Sequence, residues 1–202
     1  MYTLSKELWS TRTMVKVSVL GVIAFVLMFF ELPLIFLAPP FIKMDISDLP
    51  ALIGAFAMGP MAGVIIQLLK NVLNVVIEGT TTAGVGEFAN FVVGSAFAYT
   101  AGFIYFKKRT FGRAVVGLVA GTIIMTIVIS FANYYVMFPF YAKLFGWPIE
   151  NLVEMGTAIN KNIIDMKTMI IYAIVPFNLL KGTILTALTI LIYKKVSPIL
   201  HR

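Results

Sequence analysis

The run DLPALIGAFAMGPMAGVIIQLLKNVLNVVI, residues 48–77, decides how this chain is folded. It is apolar almost throughout, yet too long for one membrane crossing, which takes about 20 residues. Gly59-Pro60 interrupts it. Proline starts a helix readily but drives the residue before it out of helical geometry, so the run divides into a helix over 48–58 and another over 60–77. The remaining apolar runs add helices at about 12–38, 87–107, 111–138 and 167–196. The expectation is an all-α integral membrane protein, a six-helix bundle forming one domain over residues 1–202. Its outer loops fall at 39–47, 78–86 and 139–166.

Composition supports a membrane protein. Of the 202 residues, 60% are hydrophobic and 12% charged, and mean hydropathy is +0.96, whereas soluble domains carry about 25% charged residues. The first apolar run lacks a small-residue cleavage site and reads as a retained span. There is no cysteine, and the one histidine is His201. Disulfides, thiol chemistry, cysteine-bound metals and histidine acid–base catalysis are therefore excluded. No catalytic residue, metal ligand or resident cofactor is expected.

The net charge of +7 is explained by membrane topology, with no need for a nucleic-acid partner. Six spans with the N-terminus inside place Lys6, Arg12, Lys16, Lys107, Lys108, Arg109, Arg113, Lys194, Lys195 and Arg202 on the cytoplasmic side. Only Lys43, Lys143, Lys161 and Lys167 lie outside. That bias obeys the positive-inside rule and puts both termini in the cytoplasm. Small residues recur every fourth position, at Ala51, Ala55, Gly59 and Gly63 and again at Gly94, Ala98 and Gly102, with Gly117 and Gly121 as a further pair. This spacing lets backbones approach closely within a membrane.

The polar residues inside the spans share one depth. Lys70 falls near the middle of the third predicted helix, with Asn71 and Asn74 above it. Glu87 and Asn90 open the fourth, Asn133 lies in the outer part of the fifth, and Asn178 and Lys181 lie in the outer-to-middle part of the sixth. A lysine near the bilayer centre costs roughly 2.5–3.5 kcal/mol on insertion scales. Such a group is expected to face a polar interior, where it can donate to a carbonyl or pair with Glu87. Amides offer both donors and acceptors, which suits a ligand with mixed hydrogen-bonding edges. Phe41 and Met44, in the loop after Pro39-Pro40, are candidates to cap a planar ligand. The stretch 139–166 is too long for a plain connector and is expected to act as a lid or to hold a short helix.

The segments KMDISDLPALIGAFAMGPMAGVIIQLLKNVLN, GTTTAGVGEFANFVVGSAFA and VPFNLLKG resemble the riboflavin-specific substrate-binding (S) components of energy-coupling factor (ECF) vitamin transporters. The likeness runs from about Thr11 to Lys195. It implies a six-helix bundle in a prokaryotic plasma membrane that captures riboflavin from outside. It also implies two kinds of partner: a transmembrane coupling protein and a pair of ATP-binding-cassette ATPases. In proteins similar to this one, an asparagine on the fifth helix and an Asn-x-x-Lys pair on the sixth contact the flavin. Those positions fall here on Asn133, Asn178 and Lys181. Many S components dock the coupling protein through an Ala-x-x-x-Ala patch on the first helix. Here Ser18, Gly21 and Ala24 stand at three-residue spacing instead.

Two other readings compete with this one. An S component for another vitamin, such as thiamine or folate, would share the fold and the depth pattern. An intramembrane metal-dependent enzyme would use Asp45 and Asp48, an Asp-x-x-Asp pair, although Asp48 also stands where a helix cap belongs. The chain has no Walker A motif, so ATP energy has to come from partners.

Overall fold

The computed structural model describes residues 10–39, 42–146 and 148–200. Phe41, Lys6 and Arg202 lie outside them. The chain forms α1 (Thr11–Met28), a two-stranded hairpin of β1 (Leu32–Pro33) and β2 (Lys43–Met44), then α2 (Leu49–Met58), α3 (Pro60–Ile77), α4 (Val85–Lys107) and α5 (Phe111–Ala132). A π-helical turn, Asn133–Met137, leads into α6 (Phe138–Phe145) and then α7 (Ile149–Thr157). The last arm is α8 (Met166–Met169), a second π turn over Ile170–Ile174, and α9 (Val175–Leu200). Among the described residues, five helical stretches are long and apolar enough to cross a membrane, and Leu49–Met58 is a shorter apolar helix beside them. The outward faces are continuously apolar: Val15, Val19, Val22 and Val26 on α1, and Val116, Val119 and Ile123 on α5, are all exposed. A soluble surface does not carry stripes of that kind.

The break between α2 and α3 lies at Gly59, whose φ of 106° and ψ of 165° belong to a region open to glycine alone. Pro60 then opens α3 at a position where a missing N–H costs nothing. The short α2 is buried along almost its whole length and packs against α1, α3, α4 and α9. Small residues make this possible. A Cβ on Gly63 would stand 2.8 Å from Ala55 Cβ and 3.0 Å from Ala98 Cβ, and one on Gly117 would stand 2.7 Å from the Ala101 carbonyl. The four-residue spacings are thus the contact lines of the bundle.

The first helix is shorter than expected. It stops at Met28, where 12–38 was predicted, and the following residues turn back as the hairpin, pairing Leu32 with Met44 and Pro33 with Lys43. The cause is Pro33, which removes a backbone donor and forces Leu32 to be extended. The apolar residues beyond it serve a loop core: Leu34, Leu37, Ile42 and Met44 pack on a cluster containing Ala38, Phe138, Leu152, Ile163 and Ile174. Residues 139–166, predicted as an outer loop, hold most of α6 and all of α7. Asp165 then caps α8 by accepting from the Thr168 amide at 2.7 Å. That backbone bond, with the Thr168 hydroxyl, holds the Asp165 carboxyl below its ordinary range.

A second, larger core fills the bundle between α1 and α5. At one end Phe56 stacks on Tyr105 with ring centroids 4.5 Å apart, and the Tyr105 and Tyr193 hydroxyls are hydrogen-bonded at 2.8 Å. The opposite ends of the same helices open around a cavity.

Candidate functional site: a polar cavity at one end of the bundle

The cavity has a volume of about 670 Å³, within the range of small-molecule sites. Its depth is lined by Asp48, Asn133, Phe177, Asn178 and Lys181, with Met125 and Ile129 as apolar wall. Its mouth is lined by Glu31, Lys43, Glu78, Thr80 and Glu87. Phe29, Tyr141 and Phe177 supply aromatic surface.

Beneath it lies a buried charge network. Asp48 Oδ1 accepts from Lys70 Nζ at 2.8 Å and from Gln67 Nε2 at 2.8 Å, and Asp48 Oδ2 lies 3.2 Å from Lys181 Nζ. Lys181 also donates to Asp45 Oδ2 at 3.1 Å. Lys70 is fully buried and completes its set with Ser47 Oγ at 3.0 Å and Asn90 Oδ1 at 3.3 Å. An ammonium has three donors, so Lys70 is saturated. Lys181 has two engaged by the aspartates, and it lines the cavity, which leaves one for a ligand. Two lysines balance two aspartates, as burial of charge demands.

Asn133 and Asn178 are prepared in matching ways. Each is at least nine-tenths buried, and each spends one amide hydrogen on its own helix: Asn133 on the Ile129 carbonyl at 2.9 Å, Asn178 on the Ile174 carbonyl at 2.8 Å. Their amide oxygens have no partner among the described residues. Both sit at π turns, Asn133 opening the first and Asn178 standing one helical turn beyond the second. The turns are closed by i→i−5 bonds, Phe138 N to Asn133 O and Val175 N to Ile170 O. The next residue in each case is a proline, Pro139 or Pro176. A proline ring inside a helix clashes with the carbonyl four residues back. The widened turn relieves that clash, and each inserted residue rotates the helix beyond it by about 100°.

Of the residues expected at the site, Asn74, Glu87, Asn90, Asn133, Asn178 and Lys181 line this one cavity. Asn71 does not. It is about 100° around the helix from Lys70 and lines a separate apolar groove with Phe88 and Phe91. Met44 packs in the loop core, and the capping surface comes from Met28, Phe29 and Ile42. Glu87 does not take the buried lysines: its Oε2 accepts from Thr80 and Thr82 at 3.0 and 3.1 Å. Both lysines pair with aspartates, and Lys70 reaches an amide carbonyl as well, Asn90 Oδ1. Asp48 makes no capping bond to α2. Held between two ammonium groups, Asp45 and Asp48 are poorly placed to take a divalent cation. No group of three histidine, cysteine or acidic side chains stands ready for a metal among the described residues. Gly21 and Ala24 are buried, and a Cβ on Gly21 would stand 3.0 Å from Leu69 Cβ. Gly21 packs α1 on α3 and Ala24 is buried in the bundle core, so both are closed to a partner, while Ser18 is exposed.

Sequence reasoning missed Asp45, Ser47 and Gln67 as members of the network. A signal was present: two lysines within spans require two counter-ions, and Asp45 and Asp48 are the acidic pair next to the helix end that reaches them.

Comparison with known proteins identifies the family. Residues 12–193 match the family model described as ECF transporter, substrate-specific component. The chain is 38% identical over 191 residues to the riboflavin transporter RibU of Staphylococcus aureus, covering 95% of this chain and 93% of that one. It is 35% identical over 188 residues to the riboflavin transporter FmnP of Bacillus subtilis, covering 93% of each. A solved S component of a bacterial ECF transporter superimposes with a TM-score of 0.73 at 38% identity, over 94% of this chain and 97% of that one. With the match running through every helix of the bundle, the chain belongs to the substrate-specific components of ECF transporters.

Proposed function

We propose that this protein is the riboflavin-capturing subunit of an ATP-driven vitamin importer in a prokaryotic plasma membrane. Six helices cross the membrane, both termini are cytoplasmic, and the cavity opens outward. Asn133, Asn178 and Lys181 engage the polar edge of the flavin ring, while Asn74, Glu87 and Asn90 line the remainder. The observation that carries the reading is the convergence of Asn133, Asn178 and Lys181, each with unspent hydrogen-bonding capacity, on one cavity with aromatic walls. A flavin ring presents alternating donors and acceptors on one edge and apolar faces above and below, which such a cavity complements. The naming of the relatives as riboflavin transporters supports the choice of ligand. Transport energy comes from a coupling protein and two ATPases.

The test is ligand binding by the detergent-purified protein. Riboflavin fluorescence should be quenched on titration, because burial brings the ring against aromatic side chains. Absence of riboflavin binding together with tight binding of thiamine would overturn the ligand assignment.

A further inference from the structure

The turn that joins α4 to α5 lies at the end of the bundle away from the cavity, and it is strongly basic. Lys107, Lys108, Arg109 and Arg113 fall within KKRTFGR, residues 107–113, and all four are exposed. None pairs with a carboxylate among the described residues, and the sequence has no acidic residue between Glu87 and Glu150. Charge number alone satisfies the positive-inside rule, but two of these cations are also held in place. Lys107 Nζ lies 4.4 Å from the centre of the Phe103 ring, and the Arg109 guanidinium carbon lies 4.1 Å from the centre of the Phe106 ring. A ring face attracts a cation through its quadrupole, so both cations keep N–H donors for an anion. Tyr99, Phe103 and Lys107 recur every fourth residue and share one face of α4. The two rings are exposed and stacked, with centroids 6.0 Å and planes 10° apart. They make a flat apolar track that runs from the basic turn along the outside of the bundle.

We propose that this turn is a binding site for an anionic phospholipid, with Lys108, Arg109 and Arg113 around the headgroup, Lys107 at its edge and an acyl chain laid along Phe103 and Tyr99. Net positive charge with no acidic neighbour favours an anionic head over a zwitterionic one. The two arginines suit its phosphate, because a guanidinium fork meets two oxygens at once. The ring track accounts for the chain, which free phosphate and soluble phosphate esters lack. In the orientation proposed above, the lipid belongs to the cytoplasmic leaflet. Its presence ties the α4–α5 hairpin to that leaflet and leaves the ligand cavity, at the other end, untouched.

The experiment mixes the detergent-purified full chain with micelles holding equal amounts of phosphatidylglycerol and phosphatidylcholine with the same chains. Lipid that stays with the protein through size-exclusion chromatography is then counted by mass spectrometry. Both lipids carry a phosphate, and only the first has net negative charge. One Lys or Arg near an anionic surface contributes about fivefold in binding, so phosphatidylglycerol should be enriched at least about fivefold. Lys108→Gln with Arg109→Gln and Arg113→Gln should bring the ratio back to that of the micelle, and Arg109→Gln alone should lower it by at least about twofold. The same charge removed elsewhere, by Lys143→Gln with Lys161→Gln and Lys167→Gln, should leave the enrichment in place. Tyr99→Ala with Phe103→Ala should weaken retention of long-chain phosphatidylglycerol. An excess of inorganic phosphate should not displace the lipid. Thermal melts confirm that each variant is folded. A ratio equal to the micelle's for the unaltered chain overturns the inference. So does an equal loss in the two lysine and arginine triples, which would mark a response to total charge. Retention that ignores both rings, or full displacement by phosphate, rules out the lipid as drawn. The readout needs no riboflavin, so a chain that proved to bind another vitamin would leave this inference standing.

Discussion

Asn178 and Lys181 share a helix face but are held by different physics. Asn178 is anchored to its own backbone, so Asn178→Ala removes ligand contacts without stranding a partner. Its affinity for riboflavin should fall by roughly 1 to 2 kcal/mol, about five- to thirtyfold, with the ligand-free melting temperature nearly unchanged. Lys181→Met strands Asp45, which is largely buried, and breaking a buried pair on one side costs up to about 3–5 kcal/mol. This variant should both melt earlier and bind less. Adding Asp45→Asn should recover melting temperature but not affinity, since it removes the orphaned charge without restoring the donor. Thermal melts and titrations on the same preparations check the set. Recovery of affinity along with stability would show that Lys181 serves only the fold. Lys70→Met is the contrast: Lys70 does not line the cavity, so its loss should appear first as lower thermal stability. The polar residues were legible as a set at one depth because hydropathy and helical period locate them. Their pairing was not, because Asp45 and Lys181 lie 136 residues apart in the chain.

Proline acts differently from one element to the next. At Gly59-Pro60 its effect was foreseen, and the backbone breaks there. At Pro33 the same rule applied, but hydropathy of the flanking residues masked it, and helix α1 ends earlier. At Pro139 and Pro176 the helices continue, because a π turn takes up the clash one residue ahead of each. Pro176→Ala should let the second π turn relax toward regular α-helix, changing the angular position of Asn178 and Lys181. The expected outcome is a melting temperature equal or higher and riboflavin affinity lower by about tenfold. Unchanged affinity would mean that the π turn does not aim the pair. Asn71 follows Lys70 on the same helix, yet it lines a different groove.

For the whole molecule, orientation is the open prediction. The chain has no cysteine, so single cysteines report without background. One at Thr81, in the loop lining the cavity, should react with an impermeant thiol reagent from outside intact cells, and one at Thr110, between α4 and α5, should not. The reverse pattern would place the cavity on the cytoplasmic side. Isolated protein in vesicles should bind riboflavin without accumulating it, and ATP-dependent accumulation should require the coupling protein and ATPases. Sustained ATP-driven uptake by the chain alone would contradict that division of labour.

The sequence by itself determined whatever depends on local composition and period: an all-α membrane protein, the break at Pro60, the small-residue contact lines, and the depth at which polar groups gather. These arise from hydropathy, proline geometry and the 3.6-residue turn, which act over a few neighbours. Tertiary structure alone decided which faces meet. It turned Gly21 and Ala24 inward, drew Asp45 and Asp48 to the cavity as counter-ions for Lys181 and Lys70, and aimed Asn71 at a different groove. The physical reason is that a buried charge is stabilised only by the particular partner that packing brings within about 3 Å, and packing is settled by every helix of the bundle at once.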